Sequence, residues 1–147
     1  DIYAMDRKKL HGMFGVVMQN DFIIAETVAE NIRFGRDISM EDIKRAAKLA
    51  QAADFIEKLS DGYDTIIGEQ GIGLSGGQRQ RIGIARALYK ECDILFFDEA
   101  TSSLDSHTEE NINSAIRCLS ANNRALTIVV IAHRDSSLEY CDRIIDL

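Results

Sequence analysis

The sequence predicts an α/β protein built on a parallel β-sheet. Three apolar runs rich in β-branched and aromatic residues each end in polar residues, and segments with helical periodicity separate them. The runs cover residues 14–18, 94–97 and 127–132. Nearly continuous apolar character, rather than alternation, is typical of a strand that is buried on both faces of a parallel sheet. Strands that alternate with helices favour right-handed crossovers within one sheet.

Helix starts are predicted from capping patterns. Ser39 precedes a run of apolar residues at helical spacing, and Ser106 with Glu109 forms a second S-x-x-E pattern. A short helix is expected around residues 55–59, and a longer one over residues 76–89 from a single apolar stripe.

The remaining segments complete the predicted topology. A glycine-rich loop is expected over residues 61–74, and residues 143–147 are predicted to form a fourth strand. The stretch from residue 20 to residue 90 is too long for one crossover, so it predicts an inserted helical lobe.

Composition limits the class of protein. The 147 residues, 46% apolar and 28% charged, fit one folded domain. The net charge of −7 argues against nucleic acid as the main partner, because phosphate backbones are bound by clustered Lys and Arg. Cys92, Cys118 and Cys141 show no metal-site spacing and indicate reduced thiols. The chain opens with Asp1 rather than Met, which favours a piece of a longer protein.

The predicted topology assembles a candidate site. Open parallel sheets bind ligands at the carboxyl ends of their strands. Gln19, Asp98, Glu99 and His133 each follow one of the three apolar runs. We therefore expect these four side chains at one edge of the sheet.

A second candidate site lies at residues 74–78, Leu-Ser-Gly-Gly-Gln, at the start of a predicted helix. Ser75 and Gln78 alone fit an ordinary capping box. Gly76 and Gly77 are not explained by a cap, because each costs about 1 kcal/mol of helix propensity relative to Ala. They also leave the first turn of the helix without side chains. A bare first turn lets a phosphate reach the free N–H groups at the positive end of the helix dipole. Phosphate binding is therefore favoured over a cap alone.

The order of these motifs resembles that of ATP-binding cassette (ABC) proteins of the exporter type, over essentially the whole chain. Residues 74–81 resemble the signature motif and residues 94–99 the Walker B strand, while residues 102–105 resemble the D-loop. Gln19, followed by Asp21 and Phe22, matches the Q-loop, and His133 matches the H-loop. Residues 65–71 are similar to the segment that precedes the signature in exporters.

The resemblance implies a fold and a domain division. It implies an α/β fold of the P-loop NTPase (RecA-like) type, with a parallel sheet core and an inserted helical subdomain. Residues 1–34 and 91–147 would form the α/β core, and residues 35–90 the helical subdomain with the signature motif. The phosphate-binding loop, G-x-x-x-x-G-K-[ST], does not occur in the sequence. We expect it, with the first strands, to lie before residue 1.

The resemblance also implies roles for single residues. Glu99 would act as general base on the attacking water, with His133 contacting the γ-phosphate and Gln19 ligating Mg²⁺ and sensing the membrane domain. Asp98 would hold Mg²⁺ through water. Ser75, Gly76, Gly77 and Gln78 would bind ATP held by a partner domain. Asp105, grouped with these nucleotide-binding residues, would shape communication between two protomers.

Further residues are interpreted as follows. By the resemblance, Glu69 would face the membrane domain. From their residue type, Arg79, Arg81 and Arg86 are interpreted as a solvated basic helix face that could aid phosphate electrostatics. An unmatched Asp135 replaces an apolar residue that is common after His-Arg, and the chain has no Pro before the Q-loop or Walker B positions.

The function implied is hydrolysis of ATP with Mg²⁺ to power export. The partners implied are a second nucleotide-binding domain acting in trans and the transmembrane domains of the transporter, at the cytoplasmic side of the cell membrane. Without its phosphate-binding loop the isolated chain is expected to bind ATP poorly and to hydrolyse little. Two alternatives stay open: a soluble ABC ATPase of translation or chromosome organisation, and a catalytically silent interaction fragment.

Overall fold

A computed structural model of the chain describes residues 6–18, 22–68, 73–89, 92–99, 104–122, 126–132 and 141–145. The elements in chain order are α1 (Arg7–Met13), β1 (Phe14–Val17), β2 (Glu26–Thr27), α2 (Val28–Arg33), α3 (Met40–Leu49), α4 (Ala53–Ile56), a 3-10 helix (Gly62–Asp64), β3 (Ile66–Ile67), α5 (Gly76–Leu88), β4 (Ile94–Asp98), α6 (Ser106–Asn122) and β5 (Thr127–Ile131). No helix within these described ranges is long and apolar enough to cross a membrane.

The three predicted strands form one parallel sheet in the order β1-β4-β5, which confirms the α/β fold with a parallel sheet. The central strand β4 buries Leu95 and Phe97 in the hydrophobic core. Gly15 lies beside Leu95 so closely that a Cβ atom there would lie 2.7 Å from Leu95 Cδ1. The register sets Val17 opposite Phe97, and Asp98 opposite Ile131. The ends of all three strands therefore lie at one edge.

Helices α2 to α5 fill the stretch between β1 and β4, where the sequence predicts an inserted lobe. Ser39 caps α3 as predicted, since its Oγ accepts from the backbone N–H of Asp42. Helix α5 lies at the centre of this group, because it packs on α2 and α3 as well as on β1. Its Ile82, Ile84 and Ala85 are fully buried. The domain boundary at residues 35–90 stays a prediction.

A second, two-stranded sheet was not predicted. β2 pairs antiparallel with β3, with Glu26 opposite Ile67 and Thr27 opposite Ile66. The loop expected over residues 61–74 therefore contains a 3-10 helix and a strand. Strands of two residues are too short to carry a period-2 pattern, so their pairing is decided by contacts that are distant in sequence.

The fourth strand predicted at residues 143–147 is wrong for residues 143–145, the part of it that the structure describes. These residues are irregular. Ile144 is 56% exposed and Ile145 is 66% exposed, so neither side chain has the buried face that stabilises a strand. Two adjacent isoleucines without a buried surface to pack against do not suffice to form a strand.

Candidate functional site

The carboxyl edge of the sheet carries the acidic pair Asp98 and Glu99. Asp98 is the last residue of β4 and is exposed, whereas Glu99 is half-buried. The strand register brings Met18, the residue after β1, and Ala132, the residue after β5, to this same edge. Gln19 and His133 are the next residues of the chain, but both lie outside the described residues. It therefore stays a prediction, which the strand register favours, that these four side chains lie together at one edge of the sheet.

The backbone at Glu99 adopts a conformation that is uncommon for a residue with a side chain. Its φ angle is 47°, in the left-handed region, which costs an L-residue about 1–2 kcal/mol. The N–H of Glu99 donates to the carbonyl oxygen of Ile131 at 3.0 Å. This hydrogen bond to the end of β5 offsets part of the cost and fixes the turn that follows β4. Non-glycine residues in such conformations cluster at functional sites.

The start of α5 is a complete capping box. The Ser75 N–H donates to Gln78 Oε1 at 2.8 Å, and the Gln78 N–H donates to Ser75 Oγ at 3.2 Å. The cap therefore occupies two of the amides at this helix end and one oxygen of Gln78. Within the described part of the chain, the amides of Gly76 and Gly77 have no hydrogen-bond acceptor. The capping and phosphate interpretations are consequently compatible, because they use different amides.

Gly76 has no packing role in this fold. It is exposed, and a Cβ atom built on it would meet nothing nearer than Arg79 Nη2 at 4.0 Å. Its φ angle is not positive, so the backbone does not require glycine. The missing side chain leaves open space beside two unpaired amides. That is the shape an anion needs in order to approach a helix N-terminus.

The interpretation of Arg79, Arg81 and Arg86 as a solvated basic face is wrong. All three are half-buried and donate to backbone carbonyls. Arg79 bonds Leu74 at 2.8 Å, and Arg81 bonds Gln51 at 2.8 Å. Burial lowers the pKa of Arg81, and the fields of Asp105 and Asp54 act in the opposite direction. Arginine stems and planar heads pack well against neighbouring helices, which a charge count does not reveal.

Asp105 is the N-cap of α6, one residue before the predicted start at Ser106. Its Oδ1 accepts from the backbone N–H of Thr108 at 3.0 Å, and its Oδ2 accepts from the Thr108 hydroxyl at 2.7 Å. These hydrogen bonds, the hydroxyl one above all, lower the pKa of Asp105. Within the described residues Asp105 stabilises a helix start. Its role toward a nucleotide or a second protomer stays a prediction.

Sequence reasoning gave Asn31 no role, although its side chain is fully buried in α2. It is the single polar residue among the four buried residues of α2. A polar side chain inside an apolar helical stripe is the signal that would have singled it out, because buried amides must be hydrogen-bonded.

The described residues fit the groups that the resemblance implies. Asp98 offers an exposed carboxylate to Mg²⁺, which keeps most of its water ligands and needs only one or two protein oxygens. The free amides of Gly76 and Gly77 fit a phosphate oxygen. The described residues contain no group of three or more His, Cys, Asp or Glu side chains that could hold a metal ion.

Comparison with known proteins identifies the family of this chain. The family described as ABC transporter matches residues 1–102. The chain is 49% identical over 139 residues to the ABC transporter ATP-binding protein YknU of Bacillus subtilis, covering 94% of the chain and 23% of that protein. It is 46% identical over 147 residues to the ATP-dependent lipid A-core flippase of Vibrio vulnificus, covering 99% of the chain and 25% of the flippase.

A solved structure shares the fold. The structure of a bacterial Atm1-family ABC exporter with ATP bound superposes with a TM-score of 0.86 at 43% identity, over 94% of this chain and 24% of that one. The chain thus spans about a quarter of the length of the curated relatives it matches. It belongs to the ABC transporter family, as an ATP-binding domain sequence of the exporter type.

Proposed function

We propose that this chain supplies the water-activating residues and the signature helix of an ATPase that powers export across a membrane. The start of α5 carries this proposal. Two unpaired amides lie beside an exposed glycine at the end of a 13-residue helix. A helix of this length presents about half a positive charge at its N-terminus, which favours a phosphate there.

The signature residues act on the terminal phosphates of ATP. The amides of Gly76 and Gly77 donate to phosphate oxygens, while Ser75 and Gln78 hold the first turn in shape through their cap. The Ser75 hydroxyl accepts from Gln78 N–H and keeps its own proton for donation. In the family this face acts in trans, so the ATP is held by a partner domain.

The acidic pair at the end of β4 activates water. Glu99 accepts the proton of the attacking water, a role that contributes about 10²–10⁴ in rate. Its half-buried position and fixed turn support this role, because positioning dominates phosphoryl transfer. Asp98 would hold Mg²⁺, and the bound ion would supply neutralising charge at the phosphates. Gln19 and His133 complete this proposed edge, Gln19 toward Mg²⁺ and His133 toward the γ-phosphate.

The proposed activity needs more than these residues. The sequence contains no G-x-x-x-x-G-K-[ST] loop, which grips the β- and γ-phosphates in P-loop enzymes. We assign that loop to sequence outside this chain. The proposed partners are a second ATP-binding domain and the transmembrane domains of an exporter, with the ATPase at the cytoplasmic side of the membrane. The matched relatives support this, since the names of the flippase and the Atm1-family protein describe whole transporters.

A chimeric transporter tests the proposed function. This chimera is the Vibrio vulnificus flippase in which the stretch matched by this chain is replaced by the chain itself. We expect the chimera to hydrolyse ATP, and Glu99→Gln to lower turnover about 100-fold or more while ATP binding is kept. Asp93→Asn is the matched control, because Asp93 is exposed one residue before the opposite end of the same strand.

The outcomes discriminate between the functions. Unchanged turnover in Glu99→Gln would refute the general-base role. A membrane-inserted chimera without turnover would favour the catalytically silent fragment over an ATPase.

A further inference from the structure

The guanidinium of Arg86 joins α5 to two other parts of the chain. Its Nε donates to the carbonyl oxygen of Asn31 at 2.8 Å, and its Nη2 donates to that of Phe22 at 3.1 Å. Its Cζ lies 4.9 Å from the ring centre of Phe22 and 4.6 Å from that of Phe34. A planar guanidinium can donate in two directions while it stacks on aromatic rings, which an ammonium group cannot do. Arg86 therefore fixes α2 and Phe22 relative to α5.

Asn31 extends this connection to residues 24–27. Its side chain is fully buried, and Oδ1 accepts from the Ile24 N–H at 2.9 Å. Nδ2 donates to the carbonyl oxygens of Ile24 at 3.1 Å, Glu26 at 3.3 Å and Thr27 at 3.0 Å. One buried amide thus contacts four backbone groups of a segment that has only a two-residue strand of its own, with its two N–H groups shared among three carbonyl oxygens. The shape of residues 24–27 depends on Asn31.

A second arginine, Arg36, also joins α2 to α5, but it follows α2 in the sequence and donates to a carbonyl oxygen of α5. Arg36 Nη2 donates to the carbonyl oxygen of Arg86 at 2.8 Å and to that of Ile32 at 2.8 Å. Burial lowers the pKa of Arg36, with Tyr89 acting in the opposite direction. Helices α2 and α5 are therefore joined by hydrogen bonds from both sides, which limits sliding between them.

We propose that Asn31 and Arg86 are positioning residues that make residues 22–27 and α5 move as one body. Residues 22–27 begin three positions after Gln19, the proposed Mg²⁺ ligand and sensor of the membrane domain. Arg86 lies eleven residues after Ser75 on one continuous helix, a distance of about 16 Å. A shift of residues 22–27 is thereby passed to the free amides at the start of α5. This link deepens the proposed function and rests on it.

Amide hydrogen exchange on the 147-residue chain without nucleotide tests the link itself. We expect Arg86→Lys to accelerate exchange at Ile24 and Val28 about tenfold, because it removes one of two backbone hydrogen bonds and the planar stacking. Exchange in the middle of α3, at Ala46 and Ala47, is expected to stay the same. Phe22→Leu is a milder second variant, since its ring is 55% exposed, and it should give a smaller change at the same amides.

Arg81→Lys is the matched control. Arg81 lies on the same helix, also stacks on a phenylalanine (4.9 Å from the ring centre of Phe55) and also donates to a distant carbonyl, that of Gln51 at 2.8 Å. We expect it to leave exchange at Ile24 unchanged. Equal acceleration throughout the chain, or the same effect from Arg81→Lys, would mean that Arg86 serves general stability, and the proposal would be overturned. Unchanged exchange at Ile24 in both Arg86→Lys and Phe22→Leu would overturn it too.

The chimera gives the functional measurement. With Arg86→Lys we expect kcat per folded molecule to fall about tenfold, and the KM for ATP to stay within about twofold, since the residue does not grip the nucleotide. A fall in kcat that only follows the folded fraction would overturn the positioning role. A chimera that is inactive with the unmodified chain would instead refute the proposed function. The exchange measurement, made without ATP, would still decide whether the link exists.

Discussion

Gly76→Ala is expected to change stability and activity in opposite directions. A Cβ atom at this position would meet nothing nearer than 4.0 Å, and the φ angle of Gly76 is compatible with Ala. Ala is the better helix former by about 1 kcal/mol in a helix interior. Because Gly76 is the first residue of α5, we expect about half of that gain. The unfolding temperature of the chain should rise by about 1–2 °C.

The activity of the chimera is expected to fall. A methyl group at residue 76 covers the amides that we assign to a phosphate, and a hydrogen bond to a charged group contributes about 1.5–3 kcal/mol. Losing one such bond in the transition state corresponds to a decrease in kcat/KM of about 10- to 100-fold. Thermal unfolding by circular dichroism and steady-state ATP hydrolysis measure the two effects.

Gly12→Ala is the matched control for this experiment. Gly12 lies in α1, and a Cβ atom there would meet nothing within 4 Å. It should stabilise the chain by a similar amount and leave turnover unchanged. Stabilisation by Gly76→Ala without loss of turnover would refute the phosphate assignment. Destabilisation by more than about 1 kcal/mol would mean that the fold itself needs glycine at residue 76.

Three further predictions concern stability, each measured by urea unfolding of the chain. Gly15→Ala should destabilise it by about 1–3 kcal/mol, because the new Cβ would lie 2.7 Å from Leu95 Cδ1 and 3.1 Å from Cys92 Sγ; an unchanged midpoint would contradict this contact. Asn31→Leu should cost about 1–3 kcal/mol by leaving the Ile24 amide without its acceptor. Asn113→Leu should change stability little, because Asn113 is half-exposed. Asp105→Ala should lower the midpoint at pH 7. The pKa of Asp105 in the folded chain lies below its ordinary 3.8. The stability that Asp105 contributes is therefore present above pH 3.8 and is lost as the pH falls further. A difference in midpoint between the unmodified chain and Asp105→Ala that persists unchanged at pH 2 would contradict this.

The parallel sheet and the carboxyl pair could be predicted from the sequence because their signals are local. Residues 94–97 are apolar without interruption, and the two acids come directly after them. Such a run has few alternatives to a buried strand, and a buried parallel strand places the next residues of the chain at a ligand-binding edge. The Ser75 and Gln78 cap was predictable for the same reason, since its partners are three residues apart.

The errors have a common cause in contacts between distant parts of the chain. Arg86 donates hydrogen bonds to Asn31 and Phe22, which precede it by 55 and 64 positions in the sequence. Its burial therefore could not be inferred from the charge pattern of its own helix. β2 and β3 pair across about 40 residues, with Glu26 opposite Ile67. The strand predicted at residues 143–147 failed at residues 143–145 because its isoleucines found no buried surface.

The sequence by itself determined which groups the two candidate sites carry: the acids after β4 and the glycines after a serine cap, in the order in which the motifs follow along the chain. These follow from residue type and short spacing, which local physics controls. Only the tertiary structure decided how residues 22–27 are joined to helix α5. Asn31 and Arg86 act through backbone carbonyls, which every residue carries. Their partners are therefore chosen by packing and cannot be identified from residue type.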